Sequence, residues 1–160
     1  MKAIVIYCSK TGSTHKAALA VQRGLGGNAG MLRLDFNPIG LQQAYNAAFT
    51  IDLEPYDLVF LGGWTMVMRV HPFMASYIRE CENLAGKTVA GFFTGAAVFS
   101  KGHVRRDLDD LLAQRGARLC GFQYITTLFG PALTRAKLGR IEEFARDVLT
   151  GYHQHRGGNG

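Results

Sequence analysis

Ile4-Val5-Ile6-Tyr7-Cys8-Ser9-Lys10-Thr11-Gly12-Ser13-Thr14 is the stretch that decides how this chain folds. Its first half is apolar and rich in β-branched residues, the composition of a strand buried on both faces. At Ser9 it breaks into small hydroxyl residues around one glycine. A helical spacing of Ala17, Ala18, Val21 and Leu25 follows at once. A strand that feeds such a loop into a helix N-terminus makes a site for an anion. The first helical amides lack acceptors, the helix dipole favours negative charge, and glycine lets the backbone come close. Ser9, Lys10, Thr11, Gly12, Ser13 and Thr14 are therefore the candidate phosphate-holding residues, with Lys10 supplying charge.

The spacing excludes two common nucleotide loops. No lysine follows Gly12 in front of a hydroxyl residue, as a nucleoside-triphosphate loop requires, and there is no Gly-x-Gly-x-x-Gly turn for a pyrophosphate. Hydroxyls flanking a single glycine suit a terminal monophosphate. The same residues also read as a capped strand-to-helix turn with no ligand.

Outward from this loop, five strand-like runs alternate with helical ones: Ala3–Tyr7, Gly30–Leu34, Asp57–Leu61, Lys87–Phe93 and Arg118–Ile125. The helix after the first strand is followed by a weak one over Leu41–Phe49. A third starts at Pro72 and puts Phe73, Tyr77, Ile78 and Cys81 on one face. A fourth, Val104–Arg115, ends at Gly116. The last is capped by Thr134 and buries Leu138, Ile141, Phe144, Ala145, Val148 and Leu149. This alternation predicts an α/β fold, a three-layer, doubly wound, five-stranded parallel sheet of order 2-1-3-4-5. The expected domain covers residues 1–151, and the glycine-rich end, residues 152–160, is expected to be a flexible tail.

Ligands in such sheets sit beyond the carboxyl ends of the strands at the switch point, so the loops after strands 3 and 4 should be unusual. After strand 3 come Gly62-Gly63-Trp64-Thr65-Met66, with the only tryptophan of the chain, and after strand 4 Thr94-Gly95-Ala96. An apolar, aromatic loop in that place can cover a flat heterocycle, and small residues let backbone amides approach its polar edge. The alternative is that Trp64, Met66 and Met68 fold back onto the core.

Ser9-Lys10-Thr11-Gly12-Ser13-Thr14 fits a [Ser/Thr]-x-Thr-Gly-x-Thr loop, and Gly62, Gly63 and Pro72 fit the frame that follows it. On these motifs the chain resembles the flavodoxin family, from Lys2 to about Leu149, in its short-chain form because strand 5 is uninterrupted. The resemblance implies FMN as cofactor. Its phosphate would lie on Ser9, Thr11, Gly12, Ser13 and Thr14, its ring between Gly63, Trp64, Thr65 and Met66 on one side and Thr94, Gly95 and Ala96 on the other. Departures are visible too. Trp64 stands where the family's loop proline is usual, Met66 where an aromatic is, and Phe99 where a tyrosine is.

With 160 residues, 48% of them hydrophobic, the chain supports one domain with a real core. No apolar run reaches membrane-span length, because Gly62, Gly63 and Arg69 interrupt the most hydrophobic segment. A strand pattern begins directly after Met1-Lys2, without signal-peptide architecture, and Cys8, Cys81 and Cys120 form no pair motif. A cytoplasmic setting is expected. The formal charge is +6, yet no basic run is interleaved with aromatics, so nucleic acid is not the expected partner. A phosphatase built on Cys8 would need an arginine at position 14, where Thr14 stands. A phospho-receiver site would need acids where Cys8 and Gly62 stand. His71 is near enough to be a proton-transfer candidate.

The expected function is electron transfer through bound FMN, with a redox partner protein (acidic, on charge grounds) or a small quinone-like substrate. Two other readings stay open. One is an FMN-dependent NAD(P)H:quinone-type oxidoreductase, the other a flavin-free module binding a different phosphorylated ligand or a protein.

Overall fold

The computed structural model of the chain describes residues 1–34, 51–127 and 133–157. Among these described residues the strands and helices are β1 (Ala3–Cys8), α1 (Ser13–Gly24), β2 (Gly30–Leu34), β3 (Leu58–Met66), β4 (Arg69–Val70), α2 (Pro72–Glu80), β5 (Thr88–Gly95), α3 (Lys101–Ala113), β6 (Arg118–Thr126) and α4 (Arg135–Gly157). The sheet order is β2-β1-β3-β5-β6, all parallel. This is the expected 2-1-3-4-5 order, with β4 added as a short antiparallel partner of β3. The weak helix expected over Leu41–Phe49 lies outside the described residues.

Strand alternation divides the core in two. Ile4, Ile6, Val59 and Leu61 face Met74, Tyr77 and Ile78 of α2 and Val104, Leu108 and Leu112 of α3. Val5, Tyr7, Leu58, Phe60 and Phe92 face Ala17, Ala18 and Val21 of α1 and Ile141 and Ala145 of α4. All six residues of β1 are buried, which explains why its sequence reads as a continuous apolar run. On β6 the register slips by one residue between its pairings with Val89 and Ala90, so Cys120 is the extra residue of a bulge on this edge strand.

Three boundaries differ from the sequence reading. The paired glycines after Leu61 do not end the third strand. β3 continues to Met66, pairing with β5 as far as Trp64 and Thr94, and then turns through Val67-Met68 into β4. A Cβ on Gly62 would overlap the Phe92 ring, so the glycine makes room for packing inside the strand rather than marking a turn. α3 begins at Lys101, three residues early, after a 3₁₀ turn at Val98–Ser100. The tail expected from Tyr152 is helical to Gly157, because Tyr152 packs against the α1–α4 core and draws the helix past Gly151. The Thr134 cap is present, its Oγ1 accepting from the Lys137 amide at 3.2 Å.

Candidate functional site

The carboxyl ends of β1, β3 and β5 converge on a cavity of about 180 Å³. Lys10, Thr11, Ser13, Thr14, Trp64, Thr65, Thr94, Gly95 and Ala96 line it, with Thr127 from the end of β6. Sequence reading missed Thr127. Its signal was the hydroxyl pair Thr126-Thr127 at the carboxyl end of the fifth parallel strand, next to the end of β5. Of the other expected residues, Ser9 and Gly12 shape the first loop from behind, Gly63 lies inside β3, and Met66 lines a different cleft with Val67, Arg69 and Asp107. Phe99 is 75% exposed and outside the cavity. A larger cleft of about 520 Å³ opens between β6 and the end of α4, lined by Thr88, Arg118 and Tyr152 among others, away from the convergent hydroxyls.

The first loop is built by Ser9. Its nearly buried Oγ accepts from the amides of Gly12 at 3.1 Å and His15 at 3.3 Å, folding the loop back over the start of α1. Gly12 has φ 91°, a left-handed conformation open to glycine at no steric cost. With Gly12 as N-cap, the amides of Ser13 and Thr14 head the helix, where no earlier turn supplies acceptors. Behind the loop, Tyr7 Oη and His15 Nδ1 are 2.6 Å apart, fixing the strand to the helix.

Two buried threonines tie the loops together. Thr14 Oγ1 and Thr94 Oγ1 are 3.1 Å apart, and Thr94 Oγ1 donates to the Gly63 carbonyl at 3.5 Å. One hydrogen-bonded chain thus joins α1, β5 and β3 under the cavity. Tyr124 Oη donates to the Ala97 carbonyl and the Thr127 amide to the Gly95 carbonyl, holding the loop after β5 from the β6 side. A Cβ on Gly95 would overlap Thr65 Oγ1 and Tyr124 Oη. The cavity floor therefore closes only around glycine.

Trp64 is half-buried at the rim, and His71 holds it there. The two rings are 4.3 Å apart between centroids, and the His71 amide donates to the Trp64 carbonyl. His71 Nδ1 accepts from the Phe73 amide at 3.2 Å and caps α2, which puts the ring proton on Nε2. Burial, helped by the Lys10 charge, lowers the His71 pKa, so the neutral ring is the resting form. Cys8 is buried and its thiol is pushed up to about 12, which removes it as a nucleophile at neutral pH.

No protein-family model and no curated protein matches the chain. Solved structures do. A flavodoxin from the domain Archaea superposes at TM-score 0.66 with 18% identity, covering 96% of this chain and 99% of that one. Oxidised flavodoxin 2 from Bacillus cereus gives 0.64 with 20% identity over 94% and 99%. A flavoprotein from Lactobacillus acidophilus, solved in complex with FMN, gives 0.63 with 16% identity over 77% and 92%. Sheet order, layer arrangement and these superpositions agree: the chain has the flavodoxin-like fold.

Proposed function

We propose that this chain binds FMN in the cavity at the ends of β1, β3 and β5 and serves electron transfer to or from a redox partner. The observation that carries the reading is the Thr14–Thr94–Gly63 hydrogen-bond chain beneath a hydroxyl-rich cavity with Trp64 at its rim. The donor set fits a phosphate. Thr11 and Ser13 offer hydroxyls, the start of α1 offers amides, and Lys10 offers a cation, while the Thr14 hydroxyl is spent on Thr94 and fixes the helix start beneath them. At about 180 Å³ the cavity takes a phosphate and a short polyol chain but does not enclose a tricyclic ring. Trp64 would cover the ring from one side of the cavity, and Thr94, Gly95 and Ala96 would border it on the other. When bound, the flavin supplies the redox chemistry. The protein's share is anchoring, ring coverage and electrostatics.

With Nδ1 engaged by the helix cap and its ring against the indole, His71 sets Trp64 in place. Free, unpaired Cys8, Cys81 and Cys120 support a reducing, cytoplasmic setting. A quinone-type oxidoreductase is the second reading, favoured by the exposed apolar turns beside the cavity. Visible absorption of the purified protein after FMN addition and desalting tests the proposal. A retained flavin band supports it, and complete loss of flavin overturns it. Steady-state turnover with NAD(P)H and a soluble quinone then separates carrier from enzyme, because a pure carrier shows almost none.

A further inference from the structure

Among the described residues, the exposed large apolar side chains are Met1 and five others, and those five share one end of the molecule. Met66, Val67 and Met68 form the tip of the β3–β4 hairpin, and Val98 and Phe99 the 3₁₀ turn after β5. Val67 is 80% exposed, Phe99 75% and Val98 69%. Both turns leave the carboxyl ends of adjacent strands beside the cavity, which Thr65 and Ala96 line just before each turn. Val67 is also β-branched and held at φ 49°, a backbone cost with no burial in return.

The charges next to these turns are as poorly placed for the isolated chain. Lys101, Arg105 and Arg106 are exposed in the first two turns of α3, whose first turn carries no acidic residue. Cations there oppose the helix dipole. None of the three has an ion pair among the described residues: Asp107 is held by Arg69 and the Val70 amide, and the exposed Asp109 and Asp110 lie one turn further along α3, away from its first turn. Lys10 adds another exposed cation across the cavity. Protruding apolar tips flanked by unpaired cations are satisfied together by one kind of surface, an apolar interior beneath a layer of negative charge. An acidic protein would satisfy the cations but would need a separate pocket for each tip. No helix among the described residues is long and apolar enough to cross a membrane, so the attachment would be peripheral.

We propose that this end of the molecule docks on an anionic lipid bilayer, with Val67, Val98 and Phe99 entering the interface and Lys101, Arg105 and Arg106 against the headgroups. Resting on the flavin reading above, this turns the cavity mouth toward the bilayer, where a lipophilic quinone would partition. The test is sedimentation of the full chain with vesicles of phosphatidylcholine and phosphatidylglycerol in equal parts, against phosphatidylcholine alone. Binding to the anionic vesicles, weakened by salt, is expected. Phe99→Ser combined with Val67→Gly, substitutions at two exposed positions, should weaken it by about tenfold through lost apolar burial. Lys101→Glu with Arg105→Glu should abolish it. Absence from anionic vesicles, or equal binding to both kinds, overturns the proposal. Retention on carboxylate-coated beads with no vesicle binding and no effect of the apolar substitutions overturns it in favour of an acidic protein partner. Sedimentation reads protein and not flavin, so its failure leaves FMN binding standing, and a colourless protein that sediments leaves the lipid docking standing.

Discussion

Ser9 sets the shape of the first loop, and His71 caps α2 and holds Trp64 at the cavity rim. A run of hydroxyls marks an anion loop, but which hydroxyl faces the ligand and which braces the backbone depends on the turn that Gly12 makes. Ser9 braces it, accepting from two amides. Ser9→Ala should lower unfolding free energy by about 1 kcal/mol, the usual cost of losing a capping oxygen, as read by urea denaturation. It should also weaken FMN binding, because the amides lose their alignment. His71 was legible as near the site, not as a cap, since capping by a histidine before proline has no strong sequence signal. Its pKa is lowered in the folded chain, so the unfolded chain binds its proton more readily, and stability falls as the pH drops below about 6.5. Thermal melts across that range should show the fall, and His71→Asn, which caps without titrating, should flatten it. An unchanged pH profile would mean that His71 does not titrate with unfolding.

Among the elements, the parallel strands and their helices were readable because both periodicities are strong and the β1 run is unbroken. The β3–β4 hairpin was not. Gly62-Gly63 looks like punctuation, and only the Phe92 ring packed against Gly62 shows why glycine belongs inside that strand. The turn itself carries no asparagine or glycine to announce it. Val67 and Met68 hold φ 49° and 61°, the signs a tight two-residue hairpin requires. Val67→Asn with Met68→Gly should therefore stabilise the protein by about 1 kcal/mol or more, measured as an increase in unfolding free energy. Loss of stability would show that the hairpin takes its shape from side-chain contacts at its tip. Gly95→Ala would push a methyl against Thr65 and Tyr124 at the cavity floor. It should cost about 1–3 kcal/mol of stability by the same assay and loosen FMN.

At the scale of the whole molecule, fold class and strand order follow from the alternation of elements, whereas the closing of three distant loops on one cavity is a product of topology that no local pattern states. Thr14 and Thr94 are 80 residues apart in sequence and share a hydrogen bond. The net charge of +6 acts at this scale too. A positive domain favours the added negative charge of a reduced cofactor, so redox titration of the FMN-loaded protein should give a lower couple less negative than that of acidic flavodoxins. A couple equally negative would mean that local contacts outweigh the overall field. FMN binding is tested by calorimetric titration of the flavin-free chain with FMN, with Trp64 fluorescence followed in parallel. One-to-one binding with quenching of the only tryptophan, both weakened by inorganic phosphate, is the expected result. No heat and an unchanged Trp64 signal would contradict it.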